Sequence, residues 1–528
     1  MPSAPINNEN NYWLSFQVNN EDLDFIKNHL FELETPQKIE YLLQALVLNR
    51  IKIEKASLAN QQSEKGRLYL PKDNYQMKER IVFSCLNWET GVVLSVRPAF
   101  NPEQPPFNVI EVGFKNKQKR NFASGFENHP LNNPQESMPG MEYLDPDHVM
   151  KTHGADLATK LKNAIREDND LVSSADLWFH RSLLLDINPG HLNLAEAVLD
   201  MAGGGPLTTN ALASQLDLSS EGNPALLEFS LNRALMEDPR FDEVGPTGEI
   251  VWFLEKLEPD DVRSMPLCLQ YKTEDIDHSL FSQQMLKATS QLDDEFATPR
   301  TADVNPGELQ IVLTYPHWRA GTLPISNRTD HLFPTAFESP RIKFQFVDAD
   351  SKTPFSGWVV RTNRYAAGLR QWYLDNGVVP GSIVTVKKAD HTGNVIISAN
   401  KRRPTKEWVR TAIVGADGGI VLALLKQQVT TACDEQMTTI IPDTEALDRV
   451  WNQIGKARLT NEQAILRIAR ELTKLNPQGH IHAIELYSTV NVVKRIPVDA
   501  VFDQLIRNPA FSHVGDLYYR LDDEVPVV

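Results

Sequence analysis

Glu237-Asp238-Pro239-Arg240-Phe241-Asp242-Glu243-Val244-Gly245, running on to Trp252-Phe253-Leu254, is echoed near the C-terminus. The echo is Arg507-Asn508-Pro509-Ala510-Phe511-Ser512-His513-Val514-Gly515, then Tyr518-Tyr519-Arg520-Leu521. Each stretch follows an amphipathic helical pattern and reads as a short strand, a glycine turn and an aromatic-rich strand. Upstream of the first, Leu194, Ala197, Val198 and Met201 share one helical stripe, and Gly203-Gly204-Gly205-Pro206 breaks it. Thr208 then suits an N-cap. Pro224 opens a further helix whose stripe is Leu227, Leu231, Ala234 and Leu235. Upstream of the second, Ile465, Leu466, Ile468, Ala469 and Leu472 form a stripe, and Asn476-Pro477-Gln478-Gly479 breaks it. Pro497 opens a last helix carrying Val498, Val501, Phe502, Leu505 and Ile506. Pro224 to Pro239 spans 15 residues and Pro497 to Pro509 spans 12. The difference is about one helical turn, which leaves the packing face unchanged. An internal repeat follows.

The chain has 528 residues, which predicts three to five domains. Hydrophobic content of 41% and charged content of 23% are ordinary for globular protein. A net charge of −16 argues against non-specific coating of DNA by the whole chain. Cys85, Cys268 and Cys433 form no CxxC pair and read as reduced thiols of a cytoplasmic protein. The polar start of the chain does not read as a secretory signal, and no apolar run reads as a membrane span. No membrane partner is expected.

The predicted fold class is multidomain α+β: two winged helix-turn-helix units, a central β-barrel with a crossing helix, and an N-terminal helical region with a small β domain. The segments are a helical region at 1–60, a small β-barrel or sandwich at 61–135, and a loop and helical connector at 136–190. An acidic winged helix at 191–257, an acidic linker at 258–305 and a basic β-barrel at 306–410 follow. A mixed connector at 411–455 and a second winged helix at 456–528 complete the chain. Within the connector, helices are expected at 155–167 and 175–184. Within the basic segment, strands are expected at 309–314, 341–347, 357–361, 383–387 and 394–398, with a helix at 365–374 ended by Gly377. In the small β segment, Lys115, Lys117, Lys119 and Arg120 cluster after the last apolar strand, either gripping phosphate or blunting an edge.

Gly205-Pro206-Leu207-Thr208, the run 232–235, Asp238-Pro239-Arg240-Phe241 and Trp252-Phe253-Leu254 resemble the HARE-HTH family of winged helices. That family includes the N-terminal domain of the bacterial RNA polymerase delta subunit. The second unit resembles it less, lacking Pro-Leu-Thr and having Ala510 in place of Arg240. The resemblance implies contacts in transcription or chromatin, not catalysis. Leu323-Pro324, His331-Leu332-Phe333-Pro334, Trp358, Arg364-Tyr365, Leu369, Trp372 and Val379-Pro380-Gly381-Ser382-Ile383-Val384 resemble the DNA-binding pseudobarrel of plant auxin-response-type transcription factors and some restriction-enzyme recognition domains. That likeness implies strand-loop arms embracing a major groove.

Charge separates the segments. Residues 191–254 hold two basic and ten acidic residues, which favours a protein partner, RNA polymerase among the candidates, over DNA. Residues 461–521 hold seven basic and six acidic, and Lys494 and Arg495 flank the last helix. Residues 305–410 hold fifteen basic and eight acidic. Arg319, Arg341, Arg361, Arg364, Arg370, Lys387, Lys388, Lys401, Arg402 and Arg403, interleaved with aromatics, are the candidate DNA contacts there, with Lys494 and Arg495 beyond. No GxxxxGK[ST], HExxH or GxSxG occurs, and His480-Ile481-His482 lacks a third metal ligand nearby. No catalytic, cofactor or metal site is expected. The sequence therefore points to a non-enzymatic, transcription-associated protein binding duplex DNA. The alternative is a scaffold, associated with RNA polymerase or a defence complex, without specific DNA binding.

Overall fold

A computed structural model describes residues 12–83, 86, 89–100, 105–115, 118–132, 142–216, 218, 223–296, 306–336, 339–391, 393–416, 418–457 and 459–522. Cys85, Lys117, Asp417 and the turn at 101–104 lie outside the described residues. The chain divides into two compact units, Met1–Leu185 with Gly222–Phe229, and Asp186–Glu221 with Ser230–Val528. No described helix is long and apolar enough to cross a membrane.

One order of elements occurs three times: helix, short strand, helix, helix, strand, strand. Near the C-terminus it is Asn461–Thr473, His480–His482, Ala483–Val493, Val498–Arg507, Phe511–Gly515 and Tyr518–Leu521. Earlier it is Pro189–Met201, Leu207–Thr208, Thr209–Gln215, Pro224–Glu237, Phe241–Glu243 and Val251–Leu254. The third occurrence, at the N-terminus, was not visible as a repeat in the sequence: Asn20–Leu33, Gln37–Lys38, Ile39–Lys65, Pro146–Glu167, Leu171–Ser174 and Leu177–His180. In each, the last strand lies between the other two. Register agrees as well. Trp178, Trp252 and Tyr519 each pair with the first strand, at Gln37, Leu207 and Ile481. They also pair with the second, at Ser173, Glu243 and His513.

The N-terminal occurrence is interrupted between its second and third helices by a five-stranded sheet, Arg67–Leu68, Arg80–Phe83, Glu89–Ala99, Phe107–Phe114 and Lys119–Ser124, in chain order. The sheet has its own core of Tyr69, Tyr75, Ile81, Phe83, Val93, Ile110, Val112 and Phe114. Lys119 and Arg120 therefore sit on its last strand, not in a tail beyond it. The surrounding helices are set by local chemistry. Asn19 and Asp22 form a reciprocal capping box at 3.0 Å each way, and Ile26, Leu30, Leu42, Leu43, Leu46 and Val47 meet Leu157, Leu161 and Ile165 in one core.

In the second unit, seven strands curl into a half-barrel in the spatial order Glu308–Val312, Ile383–Lys388, Asn394–Ala399, Arg341–Asp348, Pro354–Val360, Tyr365–Ala367, Thr322–Pro324. All neighbours are antiparallel except Arg341–Asp348 against Asn394–Ala399. Alternation along Arg341–Asp348 places Ile342, Phe344 and Phe346 in the core with Ile311, Val384, Val386, Val395 and Ile397. On the other face Trp358, Val360, Tyr365 and Ala367 pack against Val244, Val251 and Phe253. Lys343 N donates to Val244 O at 2.9 Å, so the acidic repeat is docked on this sheet.

Four expectations are corrected. Residues 175–184 form no α-helix, only a 3-10 turn at Arg181–Leu183, because Ala175 and Asp176 adopt positive φ of 47° and 68° and close a hairpin. The helix expected at 365–374 is a strand, Tyr365–Ala367, then a break at Gly368, then the helix Arg370–Asp375. Gly368 has φ +108°, and a Cβ there would lie 2.5 Å from Ser356 O. The β segment does not end at 410: Lys401–Val414 is one strand, paired with Ile420–Thr431 in a long ribbon. The acidic segment 258–305 is no solvated linker through its described part. Val262, Leu269, Phe281 and Met285 are buried, and so are Asp293, Asp294 and Glu295.

Candidate nucleic-acid interface

The twelve predicted cations do not converge on one surface. Arg495 is 1% exposed. Its Nη2 donates to Asp294 Oδ1 at 2.8 Å and Glu295 Oε2 at 2.9 Å. The prediction that it meets DNA is thus corrected: two acids from the supposed linker hold it inside. His317 Nε2 lies 3.0 Å from the same Glu295 oxygen. Burial opposes ionisation of Glu295, but Arg495 and His317 outweigh it and hold the carboxyl at about 2. Lys494 is half-buried, its ammonium donates to Leu459 O, and burial pulls its pKa down.

Two more arginines serve internal contacts. Arg341 Nη1 donates to Asp242 Oδ2 at 3.2 Å and Glu258 Oε2 at 2.5 Å, so it is the electrostatic seat of the acidic repeat. Burial, then the neighbouring Asp242, pushes Glu258 up to about 8, and burial raises Asp242 as well. The two carboxyls together hold a proton beside Arg341. Arg319 Nε donates to Asp448 Oδ1 at 3.0 Å in a cleft shared with Arg370, Leu267 and Trp451. Arg402 pairs with Glu407 at 2.7 Å.

The remaining cations are spread along the strand direction of the half-barrel, with Lys387 and Lys388 on opposite faces of their strand. Arg361 and Arg364 bracket the turn after Pro354–Val360. Arg361 Nη1 donates to Ala336 O at 3.2 Å and Ser339 O at 3.0 Å, and Arg364 Nη2 to Asn327 Oδ1 at 2.8 Å. All three acceptors are neutral, and neither guanidinium pairs with a carboxylate among the described residues. Arg361 N donates to Pro340 O, whereas Lys388 is level with Phe346 through Val395. At ~3.3 Å per residue the two are roughly 20 Å apart along the strands. Lys387 pairs with Ile396, and Lys401 follows five residues later, roughly 17 Å further on. Lys387 lies 4.0 Å from Glu308 and Lys401 3.0 Å from Asp350, both exposed pairs of small energetic weight. Lys388 and Arg403 are exposed and pair with no carboxylate among the described residues. The loop 331–335, Pro246, Thr247, Lys388, Asp390 and His391 line a cleft of about 210 Å³.

Sequence reasoning missed Lys406 and Trp408, which lie inside the basic segment, and Lys426, which only the ribbon pairing brings opposite Trp408. His482 N-caps its helix, its Nδ1 accepting from Ile484 N at 3.2 Å. The chain matches no protein-family model, no curated protein and no solved structure.

Proposed function

We propose that this chain binds duplex DNA without catalysing a reaction, and that the cation line of the half-barrel is its contact surface. The observation that carries this is the spacing of Arg361, Arg364, Lys388 and Lys401: exposed or neutrally tethered, and spread over roughly 40 Å along the strands, a little more than one turn of duplex. Duplex carries one phosphate per ~1.7 Å of axis, so a line of that length meets phosphates throughout. The pseudobarrel resemblance of this segment agrees with the same surface.

The helical repeats support the reading differently from what their charge suggested. Element order and strand order suit winged helices and agree with the HARE-HTH likeness, which the motif residues of the second occurrence carry. Yet its hairpin, Phe241–Glu243 with Val251–Leu254, faces the chain's own sheet. In the C-terminal occurrence the last helix is covered by the former linker, with His278 Nε2 2.7 Å from Asp499 and Phe281 against Phe502. We therefore assign both chiefly to holding the half-barrel, with outer helical faces left for a protein partner such as RNA polymerase. The alternative, a scaffold without specific DNA binding, is favoured by the net charge of −16.

The test is a titration of labelled duplex with the full chain at two salt concentrations. The isolated segment 306–410 is unsuitable, since its boundary cuts a strand and exposes Trp358 and Tyr365. Salt-sensitive binding is expected. Absence of binding at low salt, with partner capture by the intact chain, supports the scaffold instead.

A further inference from the structure

The ribbon of Lys401–Val414 and Ile420–Thr431 is anchored at both ends. At one end Thr431 and Ser382 share a hydroxyl contact of 2.8 Å, and Ile383 N donates to Ala432 O at 2.8 Å. At the other, Ala412, Ile420 and Leu422 enter the core of the C-terminal repeat beside Ile465 and Ile468. Arg410 is buried there against Thr439 and Glu485. The middle of the ribbon is left to solvent on a fixed frame.

Register puts Lys406 opposite Gln428 and Trp408 opposite Lys426, all four on one face. Trp408 is 68% exposed, and Lys426 Nζ stands 6.0 Å from its ring centroid. Leu424, 46% exposed, continues this face. The one carboxylate in this stretch, Glu407, points to the opposite face and is occupied by Arg402. A flat ring flanked by ammonium groups on both strands, with no carboxylate paired to them among the described residues, complements a polyanion that carries flat rings of its own. In duplex DNA the base faces are covered by stacking, so a side chain of this kind meets them only where bases are unpaired.

We propose that the ribbon binds single-stranded nucleic acid, an unpaired base stacking on Trp408 while Lys406 and Lys426 meet the flanking phosphates. This surface adjoins the duplex-binding line at Lys401, which begins the same strand, but its test does not depend on that reading.

The experiment is fluorescence anisotropy of a labelled twenty-nucleotide oligothymidylate and of a twenty-base-pair duplex, each with the full chain. Trp408→Ala weakens oligothymidylate binding by about tenfold, Trp408→Phe retains most of it, and the duplex affinity moves less than twofold. Lys406→Gln with Lys426→Gln lowers the salt slope for the single strand by ~1.4. Because Trp408 is exposed, the melting temperature stays at the wild-type value, which separates lost contact from lost fold. Failure of the wild-type chain to bind the single strand overturns the proposal, as does equal binding by Trp408→Ala. A change in sedimentation of the free chain on Trp408→Ala, with binding intact, also overturns it and makes the ring a self-association contact. Loss of duplex binding alone leaves the ribbon standing and removes the duplex reading.

Discussion

Glu258 is a carboxyl kept from ionising by burial and by the adjacent Asp242, although Arg341 lies against both. Its folded pKa of about 8 lies above the ordinary carboxylate value. Its stabilising effect is therefore full at acid pH and is lost as pH rises through the folded value. Chemical denaturation from pH 5 to pH 9 should show wild-type stability falling across that window relative to Glu258→Gln, which keeps a donor toward Asp242 and does not titrate. A parallel pH dependence in the two proteins would contradict this. Arg495 behaves oppositely. Arg495→Met leaves Asp294 buried without its counter-charge and Glu295 with His317 alone, and should cost about 3–5 kcal/mol, with no specific effect on DNA affinity. Denaturant unfolding measures the first and anisotropy under native conditions the second. Neither role was legible in the sequence. The partners are some 200 residues apart, and a run of acids reads as solvated until its cation is placed.

Strands with one buried face were legible. Arg341–Asp348 alternates without a fault, and so does Asn394–Ala399, because one residue of slip would turn Phe344 and Phe346 outward. The hairpin at 171–180 was not, since its turn uses Ala175 and Asp176 at positive φ, where glycine or asparagine would have announced it. That one turn concealed the N-terminal repeat, whose remaining signature had also been split by the inserted sheet. The repeats offer a controlled comparison. Trp252 Nε1 donates to Thr209 Oγ1 and Asn232 Oδ1 at 3.1 Å each, whereas the buried indole N–H of Trp178, at the same register, has no acceptor among the described residues. Trp252→Phe should destabilise by about 1–3 kcal/mol more than Trp178→Phe, because only the first abandons buried polar partners. Equal losses in thermal denaturation would deny the difference.

Across the molecule, the sequence separates an acidic repeat from a basic β segment, and the structure brings the two together. Asp242 and Glu258 meet Arg341, and the hairpin bearing Asp242 covers one face of the half-barrel. Much of the segment's excess charge is consumed inside the chain, so a charge count alone overstated the set of candidate DNA contacts. What survives is the line from Arg361 to Lys401. The most direct test of that line is the salt dependence of duplex binding by the full chain, compared with Arg361→Gln, Arg364→Gln and Lys388→Gln combined. Each phosphate contact contributes about −0.9 to the slope of log affinity against log salt, so the triple variant should lower the slope by ~2.7 and weaken binding. An unchanged slope, or no salt-sensitive duplex binding by the wild-type chain, would contradict the account.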